Sequence, residues 1–152
     1  CVELGDAIAT VLIGELAGVV SPARRDTDHV GVDLDLRSGT ATIPLRGDHE
    51  HALVVLAGAG TADGVAAMPG QLTYLAPGRD ELTVTTTGPM RAMLVGGASW
   101  DEPVLMWWNY VARTRDEIID AHTQWTDRSD RFGHVASHLP RIDTDPPPWP
   151  PR

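Results

Sequence analysis

Short apolar segments separated by turn-forming residues run through residues 7–95 of this 152-residue chain. Residues 7–13 are apolar almost throughout, as in a strand buried on both faces. Residues 29–36 alternate with a period of two, which places Val30, Val32, Leu34 and Leu36 on one face of a strand. Further strand-like segments cover residues 40–45, 52–56, 71–75, 81–87 and 90–95. The turn formers between the segments include Ser38-Gly39, Gly58-Ala59-Gly60, Asp63-Gly64, Pro69-Gly70, Pro77-Gly78 and Gly88-Pro89.

The spacing of these segments narrows the fold class. Strands that recur about every ten residues, with no helical segment among them, predict an antiparallel sandwich or barrel. A jelly roll is favoured over an immunoglobulin-like sandwich, because the single cysteine, Cys1, cannot form the disulfide typical of the latter. The same count excludes an internal disulfide framework and a cysteine-based zinc site.

Charge and hydropathy exclude two kinds of partner. The formal net charge of −9 opposes attraction to the DNA backbone, so we expect no direct contact with nucleic acid. No apolar run reaches the roughly 18 residues of a membrane span, and no signal peptide is visible. A cytoplasmic protein without membrane contact is therefore expected. The start at Cys1, without a methionine, suggests a fragment, a cut domain or a processed product.

The pattern changes after Gly96-Gly97. Residues 114–117 fit a capping box, in which the Thr114 hydroxyl and the Glu117 carboxylate each bind the other residue's amide. Four residues then recur at helical spacing and form one stripe, Ile118, Ala121, His122 and Trp125. Gly133 is the predicted stop of this helix, and His122 is interpreted as a packed side chain. The proline-rich residues 145–151 are expected to be extended, either on the surface or disordered, with a ligand for a proline-binding domain as an alternative.

The order of these features resembles the C-terminal half of the pirins, a family of two-domain cupin proteins. The resemblance covers nearly the whole chain and is most specific over residues 96–133. The matching residues are Ser21-Pro22, Val54 to Gly58, Arg91 to Gly97, Glu102-Pro103-Val104, Trp107 to Val111, Glu117-Ile118 and Arg131-Phe132-Gly133.

The resemblance implies two β-barrels in tandem, with one metal ion, usually iron, held by three His and one Glu in the N-terminal barrel. It implies that the C-terminal barrel carries no metal. Some members of the family resemble quercetin 2,3-dioxygenases in activity, and others act as transcriptional co-regulators.

We therefore predict a mainly β, cupin or jelly-roll barrel with one C-terminal α-helix and an extended proline-rich tail. The barrel core covers residues 1–97, the Trp-Trp-Asn segment and the helix packed on the barrel cover 98–140, and the tail covers 141–152. Together they form one domain, the metal-free C-terminal half of a bicupin. Its partner is the N-terminal cupin domain, where iron or another divalent metal is expected. No cofactor and no catalytic residue are expected on this chain, and a further protein partner stays open.

His49 and His51 form the only His-x-His pair and are the candidate metal ligands. A cupin site needs two imidazoles that point inward from one strand, followed by a Glu and by a third His across the barrel. We interpret the pair instead as part of a polar turn at residues 47–51, before a strand. A stand-alone cupin dioxygenase that uses His49 and His51 is the alternative.

The cupin motif itself places the ligand positions elsewhere. If Gly58 closes the first motif, its Glu position falls on His51 and its two His positions fall near Leu45 and Gly47, which cannot ligate through side chains. The second motif is best matched by residues 75–81, with Asp80 or Glu81 where its His should stand.

Trp107, Trp108 and Asn109, with Trp125, are candidates for packing or for a domain interface. Adjacent residues of a regular strand face opposite sides, so one tryptophan is expected to pack near Ile118 or Trp125 and the other to face a second surface. That surface suits the companion barrel or a crossing loop, with ligand stacking as an alternative. A regulatory protein-binding module is a further hypothesis, although no partner motif supports it.

Overall fold

The computed structural model describes residues 1–149. The chain divides into two compact units, Cys1–Ser99, called the barrel unit below, and Trp100–Arg152, called the C-terminal unit. The barrel unit contains twelve strands: β1 Val2–Leu4, β2 Ala7–Ile13, β3 Glu15–Leu16, β4 Val19–Val20, β5 His29–Leu36, β6 Gly39–Pro44, β7 His49–Ala57, β8 Gly60–Ala62, β9 Val65–Ala67, β10 Leu72–Leu75, β11 Glu81–Thr86 and β12 Met90–Ala98. The predicted packing of residues 98–140 on the barrel stays a prediction.

The strands of the barrel unit form two main antiparallel sheets. One has six strands in the order β1-β2-β5-β12-β7-β10, and the other has four in the order β6-β11-β8-β9. The chain leaves the first sheet after β5, returns at β7, leaves again for β8 and β9, and returns at β10. Exchange between two sheets in this manner is typical of jelly rolls. The mainly β prediction is confirmed.

The hydrophobic core of the barrel unit lies between the two sheets. Val30, Val32, Leu34 and Leu36 of β5 are all buried, which confirms the face predicted from their period of two. The four-stranded sheet contributes buried side chains to the same cluster, among them Ile43, Leu82 and Val84.

Strand β2 differs from its prediction. Ala7 and Ala9 are buried, but Leu12 is 47% exposed. The expectation that β2 is covered on both faces is wrong, because only one face of its sheet packs against the core. An apolar run is therefore compatible with a half-exposed strand.

The C-terminal unit consists of a hairpin, a helix and a tail. Strands β13 Leu105–Trp107 and β14 Tyr110–Ala112 are joined by a two-residue turn. Helix α1 covers Arg115–Thr126, and a 3₁₀ turn covers Asp130–Phe132. The predicted capping box is confirmed: the Glu117 amide donates to the Thr114 hydroxyl over 3.2 Å, and the Thr114 amide donates to the Glu117 carboxylate over 3.3 Å.

Helix α1 ends earlier than predicted. Arg128 has φ +57°, a left-handed conformation that stops the helix. The Ser129 amide then donates to the Gln124 carbonyl over 2.9 Å, and the Arg128 amide donates to the Trp125 carbonyl over 3.1 Å. These two hydrogen bonds form a Schellman motif. Gly133 follows the 3₁₀ turn instead of the helix.

The tail lies against the rest of the C-terminal unit without forming a helix or a strand in its described residues. Its backbone carbonyls accept hydrogen bonds from two indole N–H groups, Trp125 to Ile142 over 3.0 Å and Trp107 to Asp145 over 3.3 Å. The predicted tail contains neither helix nor strand as far as Trp149, with a bend at residues 148–149 and Trp149 packed on the core of the C-terminal unit, and its last residues, 150–152, lie outside the described part of the chain. No helix in residues 1–149 is long and apolar enough to cross a membrane.

Candidate functional site

His49 and His51 lie in strand β7 and are buried, with 2% and 4% of their surfaces exposed. The interpretation of this segment as a polar turn is wrong. The backbone pairs across β12, where His49 faces Ala98 and His51 faces Gly96, so the strand begins two residues before the second histidine. Backbone pairing with a distant strand overrides the polar composition that suggested a turn.

The two imidazoles point to the same side of β7 because side chains alternate along a strand. Their ring centroids are 5.9 Å apart. Glu50, between them, points the other way, and its carboxylate accepts a hydrogen bond of 2.8 Å from the Tyr74 hydroxyl. Gly96 makes room for one ring, since a Cβ atom there would lie 2.4 Å from Cδ2 of His51.

Both histidines line a cavity of about 200 Å³ in the barrel unit, called the β7 cavity below. One part of its wall is apolar, formed by Leu16, Ala17, Val30, Pro44 and Leu45. The remaining lining residues are polar or charged, and they are Glu15, Arg25, Asp28, His29, Arg46, His49 and His51. The cavity thus combines an apolar wall with buried imidazoles.

Asp28 and the two arginines of the β7 cavity are paired with one another. The Asp28 carboxylate binds Arg25 over 2.9 Å and Arg46 over 2.7 Å. Arg46 also binds Asp48 over 2.6 Å. Desolvation opposes the charge of Asp28, but the Arg46 guanidinium and the neighbouring His49 outweigh it and lower the pKa of that carboxyl. The carboxylate is therefore held ionised.

The imidazole of His49 is buried without a hydrogen bond. Neither Nδ1 nor Nε2 has a partner within the described residues. Nε2 lies 3.4 Å from Oδ2 of Asp28, a contact that is too long for a good hydrogen bond. Burial, and then the neighbouring His49, lower the pKa of His51, while Asp48 opposes the shift. The His51 ring is therefore shifted towards its neutral form.

The donor set of the barrel does not fit a cupin iron site. Among residues 1–149, no group of three or more His, Cys, Asp or Glu side chains could hold a metal ion. His49 and His51 supply two imidazoles, but Asp28 already binds two arginines and Glu50 points away. A metal at this place would have to break the Asp28 ion pairs to gain a third ligand.

The positions that the cupin motif assigns to ligands do come together. A Cβ atom at Gly47 would lie 2.9 Å from the Asp80 carboxylate, and the Leu45 amide donates to the Asp80 carbonyl over 2.7 Å. Glu81, the other residue considered there, is exposed in β11. Leu45 and Gly47 supply no ligating side chain, so these positions form a turn contact rather than a ligand set.

The two tryptophans of the hairpin in the C-terminal unit differ in burial. Trp107 is partly buried against the core formed by Tyr110, Ile118 and Ala121, and Trp125 packs on the same core. Trp108, in contrast, is 62% exposed. Trp107 and Trp125 therefore serve as packing residues.

Trp108 and Asn109 form the hairpin turn, and Trp108 has a strained backbone. Its φ is +53°, a conformation that is uncommon for a bulky residue and that glycine usually supplies at the first position of such turns. Beside it, Met106 pairs with Val111 on the outer face of the hairpin, where they are 68% and 59% exposed. Met106, Trp108 and Val111 are the exposed apolar residues of the hairpin, called the hairpin surface below.

A second cavity, of about 520 Å³, lies within the C-terminal unit. Asn109 lines it together with Trp100, Tyr110 and Phe132. Glu117 also contributes, but the backbone amides of Arg113 and Thr114 bind its carboxylate and lower its pKa, so it caps the helix. His122 is a packed residue, as predicted: it lies edge-on to Tyr110, and its Nε2 is 3.0 Å from the Thr144 carbonyl.

Sequence reasoning missed Asp28, Arg25 and Arg46 as neighbours of His49. They come from the segment before β5 and from the β6–β7 connection, and nothing in their local pattern indicates a shared cavity. The only available signal was the run of charged residues at 24–29, which is typical of any polar loop.

Comparisons with known proteins agree on one family. A family model described as the pirin C-terminal cupin domain matches residues 31–133. The Pseudomonas aeruginosa protein named "Putative quercetin 2,3-dioxygenase PA1205" is 34% identical over 142 residues, which cover 92% of this chain and 45% of that protein.

Solved structures give the same result. A crystal structure of quercetin 2,3-dioxygenase from Acinetobacter baumannii matches with a TM-score of 0.84 and 32% identity, over 99% of this chain and 51% of the other. The crystal structure of GK1651 from Geobacillus kaustophilus matches with a TM-score of 0.61 and 26% identity, over 67% of this chain and 44% of the other. The chain thus spans about half the length of these relatives, and the predicted cupin fold is confirmed.

Proposed function

This chain belongs to the pirin C-terminal cupin family, and we propose that it is the metal-free barrel of a two-barrel protein, supporting an N-terminal cupin barrel that binds the metal. The observation that carries this proposal is the donor set of strand β7. His49 and His51 are buried beside Asp28, whose carboxylate is held by Arg25 and Arg46. The site therefore offers two imidazoles where a cupin iron site needs four ligands.

The hairpin surface supports a docking role. Met106, Trp108 and Val111 are exposed apolar residues of one hairpin, and a strained, exposed tryptophan is costly unless a partner uses it. We propose the N-terminal cupin barrel of the same protein as that partner, acting in the cytoplasm. The relatives named as quercetin 2,3-dioxygenases suggest a dioxygenase-like activity for the whole protein. The alternative is a regulatory activity, as in other pirins.

Metal analysis of this chain, purified without a nickel column, tests the metal-free role. We expect far less than one equivalent of iron, nickel, manganese or zinc. We also expect His49→Ala and His51→Ala to leave the metal content unchanged, as does the exposed control His138→Ala. Stoichiometric metal that is lost in the two β7 variants, but kept in the control, would contradict the proposal.

Association in trans tests the partner. The N-terminal barrel and this chain are expressed separately, and their affinity is measured by calorimetry. We expect Trp108→Ala to weaken association at least tenfold, as for an aromatic hot spot, because its large exposed ring is available to a partner. Trp100→Ala, which removes another exposed tryptophan outside the hairpin surface, is the matched control. Equal affinities for both variants would contradict the docking role.

A stand-alone cupin dioxygenase remains the competing function, because both histidines do point into the barrel. It requires stoichiometric metal together with flavonol turnover by this chain alone. A regulatory role through direct DNA contact is disfavoured by the charge of −9, and we expect no shift of naked DNA at physiological salt.

A further inference from the structure

We infer that the C-terminal unit carries a recognition groove for a proline-rich peptide, and that the chain's own tail fills this groove in cis. Three side chains form the groove, called the tail groove below: Trp107 of β13, and His122 and Trp125 of α1. It depends neither on the metal content of the barrel unit nor on the partner proposed for the hairpin surface. The contacts of the tail, its composition and its unpaired polar atoms carry the inference.

The tail groove holds the tail by its backbone. Each of the three groove residues donates a side-chain N–H hydrogen bond to a different tail carbonyl, over distances of 3.0, 3.0 and 3.3 Å. The accepting carbonyls belong to Ile142, Thr144 and Asp145. In residues 1–149, none of the backbone hydrogen bonds outside helices and strands involves residues 141–149. The tail is therefore held as a bound peptide is held, by side chains that contact its carbonyls, and not as a strand of a sheet.

Two side chains anchor the ends of the tail. At one end, the Arg141 guanidinium carbon lies 3.9 Å from the centre of the Trp125 ring, a short cation–π contact. At the other end, the Trp149 ring meets the Trp107 ring edge-on at 5.8 Å, and the Arg115 guanidinium carbon lies 5.4 Å from the centre of the Trp149 ring. The groove therefore contacts a cationic and an aromatic side chain at the two ends of the segment, and backbone carbonyls between them.

The composition of the tail suits this mode of binding. Residues 146–148 are three successive prolines, which have no N–H group to leave unpaired and whose φ angles are fixed by the ring. A proline-rich segment therefore loses little conformational freedom on binding, and proteins recognise such segments in grooves lined by aromatic side chains. The tail groove consists of two indoles and an imidazole, and their N–H groups supply the donors that a proline backbone lacks.

Two buried polar atoms indicate that the tail is a displaceable ligand of the groove. The Thr144 hydroxyl and the Trp149 indole N–H are buried and have no hydrogen-bond partner among the described residues. Such groups oppose burial because they give up their hydrogen bonds to water. Release of the tail returns both atoms to solvent, so the groove becomes free for a peptide in trans.

Tethering keeps a weakly held tail in the groove. Residues 133–140, which contain neither helix nor strand, connect the 3₁₀ turn to the tail. A short link of this kind gives the tail an effective concentration on the order of 1 mM at the groove. A separate peptide with an intrinsic Kd of about 0.1 mM must compete with the tail, and its binding is therefore about tenfold weaker than its binding to an empty groove.

A synthetic peptide of residues 141–149, with capped ends and a fluorescent label, tests the groove in trans. Fluorescence anisotropy measures its affinity for the full chain. We expect Trp149→Ala in the chain to strengthen peptide binding about tenfold, because the cis tail loses its aromatic anchor and competes less well. Trp100→Ala, at an exposed tryptophan outside the tail groove, should leave the weak binding of the wild-type chain unchanged.

Removal of one donor distinguishes this groove from any other surface. In the Trp149→Ala chain, the further substitution Trp125→Phe keeps an aromatic ring and removes the indole N–H that binds the first tail carbonyl. Peptide binding should weaken about fivefold, as for the loss of one neutral hydrogen bond. Trp100→Phe in the same background is the matched control and should leave the affinity unchanged.

Variants of the peptide test the role of the prolines. Replacement of all three prolines by glycine keeps the carbonyls and both end residues but restores the conformational freedom of the backbone. We expect this peptide to bind at least about fivefold more weakly than the native peptide. The peptide with Ile142→Ser is its control and should keep the native affinity, because the Ile142 side chain is 78% exposed.

If Trp149→Ala does not fold, the wild-type chain labelled with ¹⁵N tests the same displacement by NMR. An excess of unlabelled peptide should release the tail, so the indole N–H resonance of Trp149 should move to its position in the free peptide. The indole resonances of Trp107 and Trp125 should stay near their original positions, because the peptide replaces the tail as their hydrogen-bond partner.

An absence of saturable peptide binding to a folded Trp149→Ala chain would overturn the inference. Equal effects of Trp125→Phe and Trp100→Phe, or equal affinities of the proline and glycine peptides, would overturn it too. In the NMR experiment, a Trp149 resonance that stays in place under excess peptide has the same meaning. None of these results would touch the metal-free role or the docking role of the hairpin surface, since neither uses the tail groove.

Discussion

Apolar side chains are usually buried and polar ones exposed, and the barrel unit and the C-terminal unit depart from this arrangement in opposite ways. The barrel unit encloses a large aliphatic core but also buries His49 and His51. The C-terminal unit buries only Tyr110, Ile118 and Ala121 among its described residues and leaves Trp108 exposed. A buried polar group or an exposed apolar patch is more informative than the usual arrangement, and here each unit supplies one candidate site.

The two units also differ in what stabilises them. In the barrel unit, side chains of two sheets meet in one continuous cluster, so stability is distributed over many contacts. In the C-terminal unit, a few aromatic residues matter more. The Trp107 and Trp149 rings meet edge-on at 5.8 Å, and Trp125 meets Phe132 at 5.2 Å, while indole N–H groups bind tail carbonyls. The following predictions test this difference.

The largest effect is expected in the barrel core. Leu53 of β7 is fully buried, so Leu53→Ala should lower the free energy of unfolding by about 2–5 kcal/mol, through lost burial and a residual cavity. Leu56, on the same strand, is 51% exposed, and Leu56→Ala should change the free energy of unfolding by less than about 0.5 kcal/mol. Urea denaturation measures both. Similar losses in the two variants would show that the assigned inner face of β7 is wrong.

The next effect concerns the two adjacent tryptophans. Trp107→Ala should cost about 2 kcal/mol, because the ring is only partly buried and also loses its hydrogen bond to Asp145. Trp108→Ala should be nearly neutral for stability. Trp108→Gly should stabilise the hairpin by about 1 kcal/mol, since glycine tolerates its φ of +53°.

Thermal denaturation of the three variants, monitored by tryptophan fluorescence, measures the order of their stabilities. A glycine variant that is less stable than the alanine variant would show that Trp108 contributes packing within the unit. Such a result would remove the argument that the residue is held in place for a partner.

A smaller effect is expected at the start of helix α1. Thr114→Ala removes the N-cap hydroxyl that accepts the Glu117 amide, and should cost about 1 kcal/mol. Thr123→Ala is the matched control, because that hydroxyl only bonds back to the Ile119 carbonyl within the helix, and its loss should be near neutral. Hydrogen exchange of the α1 amides measures both. Equal protection in the two variants would mean that packing, rather than the cap, maintains the first turn.

The smallest effect is expected from pH. The pKa of His51 is lowered in the folded state, so the unfolded chain binds the proton more tightly. The contribution of His51 is therefore complete above pH 6.5, its ordinary pKa, and is lost as the pH falls from there through the folded-state pKa. The carboxyl pKa values of Asp28 and Asp33 are also lowered, and they affect stability only under more acidic conditions.

Urea denaturation between pH 7.5 and about 5 checks this sign, since the carboxylates are still mostly ionised there. His51→Gln should flatten the decline in this window, and the exposed control His138→Gln should keep it. A stability that rises as the pH falls would show that the His51 ring gains a partner when it is protonated.

Local patterns predicted a large part of this structure. The alternation in β5 predicted which four residues are buried, and the residues 114–117 predicted the capping box. Each of these features depends on residues within about one turn or a few positions along a strand, so the sequence contains the information directly.

Other features were not predictable because they depend on distant residues. The turn interpretation of residues 47–51 failed because β12 pairs with them and continues the strand. The predicted helix stop at Gly133 failed because Arg128 adopts a left-handed conformation that non-glycine residues rarely occupy. The hydrogen bonds between the tryptophan rings and the tail connect residues far apart in the chain.

The sequence by itself determined the family, the β-strands and the capped helix, because these follow from local periodicity and from short motifs. Only the tertiary structure decided that His49 and His51 point into a cavity and that Asp28 is held there by two arginines. It also decided that Trp108, rather than Trp107, is exposed. The physical reason is that burial and charge pairing depend on contacts between segments far apart in the chain, and no local pattern in this sequence predicts those contacts.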